Sequence, residues 1–365
     1  MLPTTTPETQ AQTAPQTMII GGVDTHKKTH HAAALDSNGG VLGDCEFPAT
    51  RAGYQDLLDW LASFGVIDRV GVELTSAYGA GLTRHLEAAG ITVLEVNTTD
   101  RATRARQGKD DRTDAIAAAR KVLSGMATAR PKDTTGTVET IRILSQVRDS
   151  AVKERTVAWN QLHAIVITAP AELRERIEPL TPARLLKAIL AEPARQVTAG
   201  IDPGAGAVRA LQILATRIAA QDDQIRDLDK DLKLLVTAIA PTLIGQPQIG
   251  VHTAAQLLMT AADNISRVTS EAKFARLCGA APVPASSGKT TRMRLHRGGD
   301  RQANRAINMI VVGRMKNHQP TIDYVAKKKA EGKTTREAMR CVKRFVAREV
   351  FNILKHDLAN RTPSA

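Results

Sequence analysis

Met18-Ile19-Ile20-Gly21-Gly22-Val23-Asp24 is a short apolar run that closes on an acid. Two more apolar stretches follow, His31 to Leu35 and Val41 to Phe47, with Ser37-Asn38-Gly39-Gly40 between them. Short apolar runs separated by Asn and Gly read as strands joined in hairpins. Working outward, the spacing of Tyr54, Leu57, Leu58 and Leu61 predicts a helix over Tyr54 to Phe64. Arg69 to Leu74 reads as a strand with Glu73 near its end, Tyr78 to Ala89 as a helix stopped by Gly90, and Ile91 to Val96 as another strand. The Ala-rich run Ala115 to Leu123 is the next helix, because Ala is the best helix former and an Asp ahead of it caps well. The order β-β-β-α-β-α-β-α predicts an α/β layered domain with a mixed sheet, its first three strands antiparallel and the later ones parallel.

This order spaces the acids informatively. Asp24 lies on the first strand and Glu73 at the tip of the fourth. In Lys109-Asp110-Asp111-Arg112-Thr113-Asp114-Ala115, Asp111 and Asp114 share one face of the first helical turn. Sites in open α/β sheets gather at the carboxyl ends of strands. Four acids from three distant segments therefore predict one cluster for a hard divalent ion such as Mg2+. A solvated capping turn, favoured by the helix macrodipole, is the competing reading of Asp111 and Asp114. His26, His30 and His31 near Asp24 lack zinc-site spacing and read as surface or turn residues.

The chain has 365 residues, 42% of them hydrophobic, enough for two or three domains with sizeable cores. No apolar run is long enough to span a bilayer. Residues 1–17, MLPTTTPETQAQTAPQT, lack a basic region and predict a disordered polar tail rather than a signal. Cys45, Cys278 and Cys341 form neither a disulfide framework nor a zinc pattern, and predict buried filler in a reducing cytoplasm. The net charge of +13 is unevenly placed: Ala281 to Ala365 holds 19 Lys+Arg against 6 Asp+Glu, and the remainder holds 31 of each sign. A neutral body with a basic C-terminal segment predicts a polyanionic partner, and nucleic acid fits better than an anionic membrane because no strongly apolar face accompanies the charge.

Past residue 130 the pattern turns helical. Val138 to Val166 carries an apolar stripe, and Val208 to Ile239 runs in heptads with Leu211, Ile218, Ile225, Leu232 and Ile239 at a and Leu214, Leu228 and Leu235 at d, broken by Gln221. Long coiled-coil helices over 131–240 are expected, paired within the chain or between subunits. The last segment, 241–365, is mostly helical. Pro247 to Ala255 has the look of a helix-hairpin-helix turn, or of an ordinary helix-helix turn. Helices are predicted from Gln302 to Met315 and from Arg336 to Leu358. Between them and the turn lies a loop, Ala280 to Lys289, with Ser286-Ser287-Gly288 and a set of cations. Lys289, Arg292, Arg294, Arg297, Arg301 and Arg305 are the candidate phosphate contacts. An exposed serine amid guanidinium groups suits attack on a phosphodiester, although Ser-Ser-Gly is also a common flexible loop.

Together these pieces resemble the DEDD-type insertion-sequence transposases, the IS-one-ten group with its IS-eleven-eleven relatives and the Piv-type invertases, from about Ile19 to Leu358. The matching boxes are Val23-Asp24-Thr25-His26-Lys27, Glu73-Leu74-Thr75-Ser76-Ala77-Tyr78, Lys109 to Ala115, and the loop Cys278 to Gly288. Ser76 stands where the pattern has Gly. Asp110 stands where it has Thr or Ser and so competes with Asp111, and Ser286 adjoins Ser287.

The resemblance implies an α/β RuvC-like domain of ribonuclease-H fold over 18–130, followed by a coiled-coil linker and a helical transposase domain. It implies Mg2+ on Asp24, Glu73, Asp111 and Asp114, with Ser287 as nucleophile in a composite site. It further implies recombination of donor and target DNA under an element-encoded non-coding RNA, by a homo-oligomer built as a dimer of dimers in the bacterial cytoplasm at the nucleoid. The alternatives are a RuvC-like endonuclease that uses activated water, with the serine structural, and a non-catalytic nucleic-acid-binding protein.

Overall fold

Both faces of Met18–Thr25 (β1) are covered, and successive side chains serve two different cores. Ile19 and Val23 join one apolar cluster, while Ile20 joins the other, as period-two alternation requires. The structure, a computed structural model, describes residues 17–96, 110–193, 203–286, 288, 293–296 and 298–360. The chain divides into two compact units, Met1–Thr135 and Gly136–Ala365.

In the first unit β1 is followed by β2 (Thr29–Leu35), β3 (Val41–Pro48), α1 (Arg51–Ala62), β4 (Val66–Glu73), α2 (Ala80–Ala88), β5 (Thr92–Val96) and α3 (Asp111–Leu123). The sheet order is β3-β2-β1-β4-β5. β1 runs antiparallel to β2 and β2 to β3, whereas β1–β4 and β4–β5 are parallel, which is the mixed sheet expected. This architecture is compatible with a ribonuclease-H-like domain. Helices α1 and α2 cover one face through Leu57, Leu61, Leu82 and Leu86. Helix α3 covers the other with Ala115, Ala118, Ala119 and Val122. Helix α2 starts two residues later than its sequence pattern suggests. Leu74 leaves β4 with φ of 50°, and its carbonyl accepts from the amides of Ala77 and Gly79, so a turn takes up the first residues.

His30 is fully buried under α1, its ring stacked 5.6 Å from that of Tyr54, which in turn lies 6.1 Å from His85. The expectation of a surface or turn histidine therefore fails at this position, because the β2 alternation turns His30 toward the α1 side. Burial pushes its pKa below the ordinary histidine value. The unfolded chain then takes up a proton at pH values where the folded chain does not. Stability is complete above the unfolded pKa near 6.5 and declines as pH falls below it, by about 1 kcal/mol per pH unit. Urea midpoints of the full chain measured from pH 7 down to pH 5 should fall, and His30→Phe, which keeps the stack on Tyr54, should flatten that slope.

The second unit opens with two long helices, α4 (Thr137–Thr168) and α7 (Pro203–Ile239), with α5 (Ala171–Ile177) and α6 (Pro182–Ala191) between them. The long pair packs within the chain and antiparallel, as the cross-helix pairs Arg148–Asp229 at 2.8 Å and Arg155–Asp222 at 2.6 Å require. The a positions Leu211, Ile218, Ile225, Leu232 and Ile239 are all buried. Gln221, which breaks the apolar seam, donates to Glu154 at 3.1 Å. At one end Leu162, Leu173, Ile189 and Leu211 form a closed cluster, each burial stabilising by about 2 kcal/mol.

At the other end Leu232 and Val236 merge into the main core with α8 (Pro241–Ile244), α9 (Val251–Ala261), α10 (Glu271–Leu277), α11 (Arg301–Asn317), α12 (Gln319–Ala330) and α13 (Thr335–Ala359). The α8–α9 turn is held from inside by Arg314, which donates to the Pro247 carbonyl at 3.0 Å and to both Glu349 oxygens. Helix α12, with Pro320 in its first turn, stands between the two predicted helices of this segment and carries Lys327, Lys328 and Lys329, whose run reads in the sequence as a solvated helix face. The serine loop is flanked by a two-stranded ribbon, β6 (Pro282–Pro284) with β7 (Met293–Leu295). Of the cysteines, Cys278 is buried and its thiol is pushed up to about 12 by burial, but Cys45 is exposed on the outermost strand, contrary to expectation. Among the described residues no helix is long and apolar enough to cross a membrane.

Candidate metal centre

Two glycines decide how closely α3 lies on the sheet. A Cβ on Gly22 would collide with the Ala115 carbonyl oxygen and the Ala119 amide nitrogen, and one on Gly71 would come within 2.6 Å of the Val122 side chain. The residues two further along each strand, Asp24 and Glu73, lie on this same face. They are neighbours across the sheet, since Val23 pairs with Val72 in the parallel register, and the Thr25 hydroxyl donates to the Glu73 carbonyl at 3.0 Å. The helix runs back along the strands, so its first turn, with Asp111 and Asp114, stands at the strand ends that carry Asp24 and Glu73.

Asp24, Glu73 and Asp114 are buried, at 7%, 3% and 6% exposure, and Asp111 is half-buried. Burying a carboxylate is costly unless it is paired or hydrogen-bonded. One ligand atom each of Asp24, His26 and Asp111 lies within 4.8 Å of the others, with the imidazole 3.7 Å from the Asp24 carboxylate and 3.8 Å from that of Asp111. Glu73 and Asp114 sit on the same face at the same end of the sheet but do not join this tight group. Asp110 is exposed at the helix cap, where it accepts from the Thr113 hydroxyl at 3.0 Å, so Asp111 and not Asp110 faces Asp24.

His26 is the residue that sequence reasoning missed. The signal was its place two residues after Asp24, where the short β1–β2 turn folds it back over the strand end. His31, also read as a surface or turn residue, is a strut: its Nε2 lies 2.9 Å from the Asp44 carboxylate, which accepts from Arg112 at 2.7 Å. The hydrogen bond from His31, followed by that from Arg112, holds the Asp44 carboxyl below its usual pKa. Asp44 thus ties β2 and β3 to the residue next to Asp111.

The second unit places the other candidates. Ser286 is exposed just after β6, and Arg294 is exposed on β7. Arg301 and Arg305 are exposed one turn apart on α11, whose start is capped by Asp300 accepting from Gln302 and Ala303. Ser287, Lys289, Arg292 and Arg297 lie outside the described residues.

Comparisons with known proteins bear on the family of the chain. A family model of DEDD transposases of the IS110 type, described as "Transposase", matches residues 21–169, which include all four acids. A second, described as "Transposase IS116/IS110/IS902 family", matches residues 241–326. The chain is 30% identical over 265 residues, 67% of its own length, to the "Insertion element IS110 uncharacterized 43.6 kDa protein" of Streptomyces coelicolor, and spans 64% of that relative. Two family models in order along the chain, with the acids of the first gathered at one sheet end, settle the kinship: the chain belongs to the IS110 family of transposases.

Proposed function

We propose that this chain cuts and rejoins DNA through a serine-linked intermediate, with Mg2+ held by Asp24, Glu73, Asp111 and Asp114 of a RuvC-like domain. The observation that carries the reading is the approach of Asp24, His26 and Asp111 within 4.8 Å at the carboxyl end of the sheet, in a chain of a transposase family. Carboxylate oxygens from separate segments suit a hard divalent ion, and the imidazole widens the choice to Mn2+. When bound, the ion would polarise the scissile phosphate and neutralise charge on the leaving oxygen. The chain's own part is positional. Gly22 and Gly71 let α3 lie close enough to bring its carboxylates to the strand ends, and the Asp44 strut steadies the first turn of α3.

Ser287 is the nucleophile in this reading. Its Oγ bonds to phosphorus as one P–O bond breaks, and the hydroxyl proton passes to the departing sugar oxygen. The phosphoserine link keeps the bond energy for rejoining. The excess of cations in residues 281–365, with Arg294, Arg301 and Arg305 exposed, supports DNA as the substrate and suits an element-encoded guide RNA equally. Assembly as a dimer of dimers, with the long helices forming coiled coils, completes the proposal.

The test is to incubate the protein with Mg2+, the element's own RNA and labelled junction DNA, then resolve the products under denaturing conditions. A protein–DNA adduct that Ser287→Ala abolishes is expected. Nicking that survives in Ser287→Ala, with no adduct in the wild type, would replace this reading with a water-using endonuclease.

A further inference from the structure

A groove of about 810 Å3 opens in the second unit beside β6 and β7, walled by α12 and α13. Arg294, Lys333, Arg340 and Lys343 line it. Its single acid, Glu337, is already engaged, accepting from the Thr334 amide at 2.9 Å and hydroxyl at 2.8 Å as the cap of α13. Among the described residues no carboxylate comes within ion-pair distance of Arg294, Lys333, Arg340 or Lys343, and the one acid in the lining, which acts on Lys333 and Arg340 from further off, leaves the groove with an excess of positive charge. Lys343 is half-buried, with its ammonium 3.5 Å from the Asn304 side-chain oxygen, and burial depresses its pKa, with Arg340 adding to the effect. An anion in the groove would relieve both.

The groove also holds an unusual aromatic. The chain has only 5 Phe, 3 Tyr and 2 Trp, and of these Phe345 and Tyr78 alone are exposed. Phe345, 45% exposed, lines the groove with Tyr324, their rings 5.4 Å apart and 89° to each other, and the Arg348 guanidinium lies 5.4 Å from the Phe345 centroid. Every nucleobase offers a face to such a ring, but only once it is out of a duplex stack. A row of unpaired cations beside an open aromatic edge matches a phosphodiester chain with free bases.

We propose that this groove binds an unpaired stretch of nucleic acid, its phosphates on Arg294, Lys333, Arg340 and Lys343 and one base stacked on Phe345. The inference rests on the nucleic-acid reading above and adds where, and in which strand state, the polymer is held.

The experiment measures binding of the full chain, without divalent metal, to a short labelled single-stranded DNA, to the RNA of the same sequence and to the matching duplex. Phe345→Ala should weaken single-strand binding about tenfold and leave duplex binding unchanged, while Phe345→Trp retains it. Arg340→Gln should weaken binding to the single strands and lower the salt slope by about 0.7 per lost phosphate contact. Whichever of DNA or RNA loses more in Phe345→Ala is the strand the groove takes. Wild-type binding that neither Phe345→Ala nor Arg340→Gln alters would overturn the groove and leave the nucleic-acid reading standing. A wild type that binds none of the three probes would overturn both.

Discussion

Gly22→Ala will unfold or loosen the first unit, at a cost of about 3 kcal/mol or more, although it adds a single methyl group. The methyl has no free direction. It meets the Ala115 carbonyl oxygen and the Ala119 amide nitrogen, both backbone atoms of α3, so no rotamer change relieves the contact. The helix must lift, and the layer of Ala115, Ala118, Ala119 and Val122 loses its packing on Ile20, Ala33 and Leu35. The same lift carries Asp111 away from Asp24, so the loss reaches the site as well. Gly206→Ala is the control. A Cβ there meets nothing within 4 Å and the position lies inside α7, so helix propensity predicts a gain of up to about 1 kcal/mol. Thermal unfolding of the three proteins in parallel checks both signs.

Asp24→Asn is expected to lower DNA strand cleavage by about a thousandfold or more while leaving the fold intact. The side chain is nearly isosteric and sits at the end of β1, past the last core residue, Val23, so packing is retained. What changes is the charge in a buried site where at least three titratable groups converge. Loss of several kcal/mol of electrostatic stabilisation corresponds to three or more decades in rate. Glu73→Gln should behave alike, whereas His26→Ala, which removes a half-exposed imidazole, should cost nearer tenfold. Cleavage rates with unchanged unfolding midpoints separate loss of chemistry from loss of structure.

Much of the first unit was legible because its signals are local. The apolar runs, the Asn-Gly turn between β2 and β3 and the Ala-rich α3 each state their own conformation, and the right order of elements leaves few topologies. The placement of two acids was legible because Glu73 ends its strand and Asp24 stands one residue before the end of its own. The role of the two glycines was not, because close approach of a helix is a property of the partner and not of the glycine. His30 and His31 could not be told apart by composition. Adjacent in sequence, they go to opposite faces of β2, one into an aromatic stack and the other onto Asp44. In the second unit the heptads of α7 announced a partner but not which one, and the antiparallel pairing with α4 rests on contacts far apart in the chain, such as Arg148 with Asp229.

The central claim is that the acids of the first unit gather around a divalent cation. Titration of the metal-free full chain with Mn2+, followed by its electron paramagnetic resonance signal and by calorimetry, tests this without any DNA. Saturable binding by the wild type and by Ser287→Ala, weakened about a hundredfold in Asp24→Asn and in Asp111→Asn, is the result predicted. Mn2+ binding of equal strength in the wild type and both acid variants would contradict it.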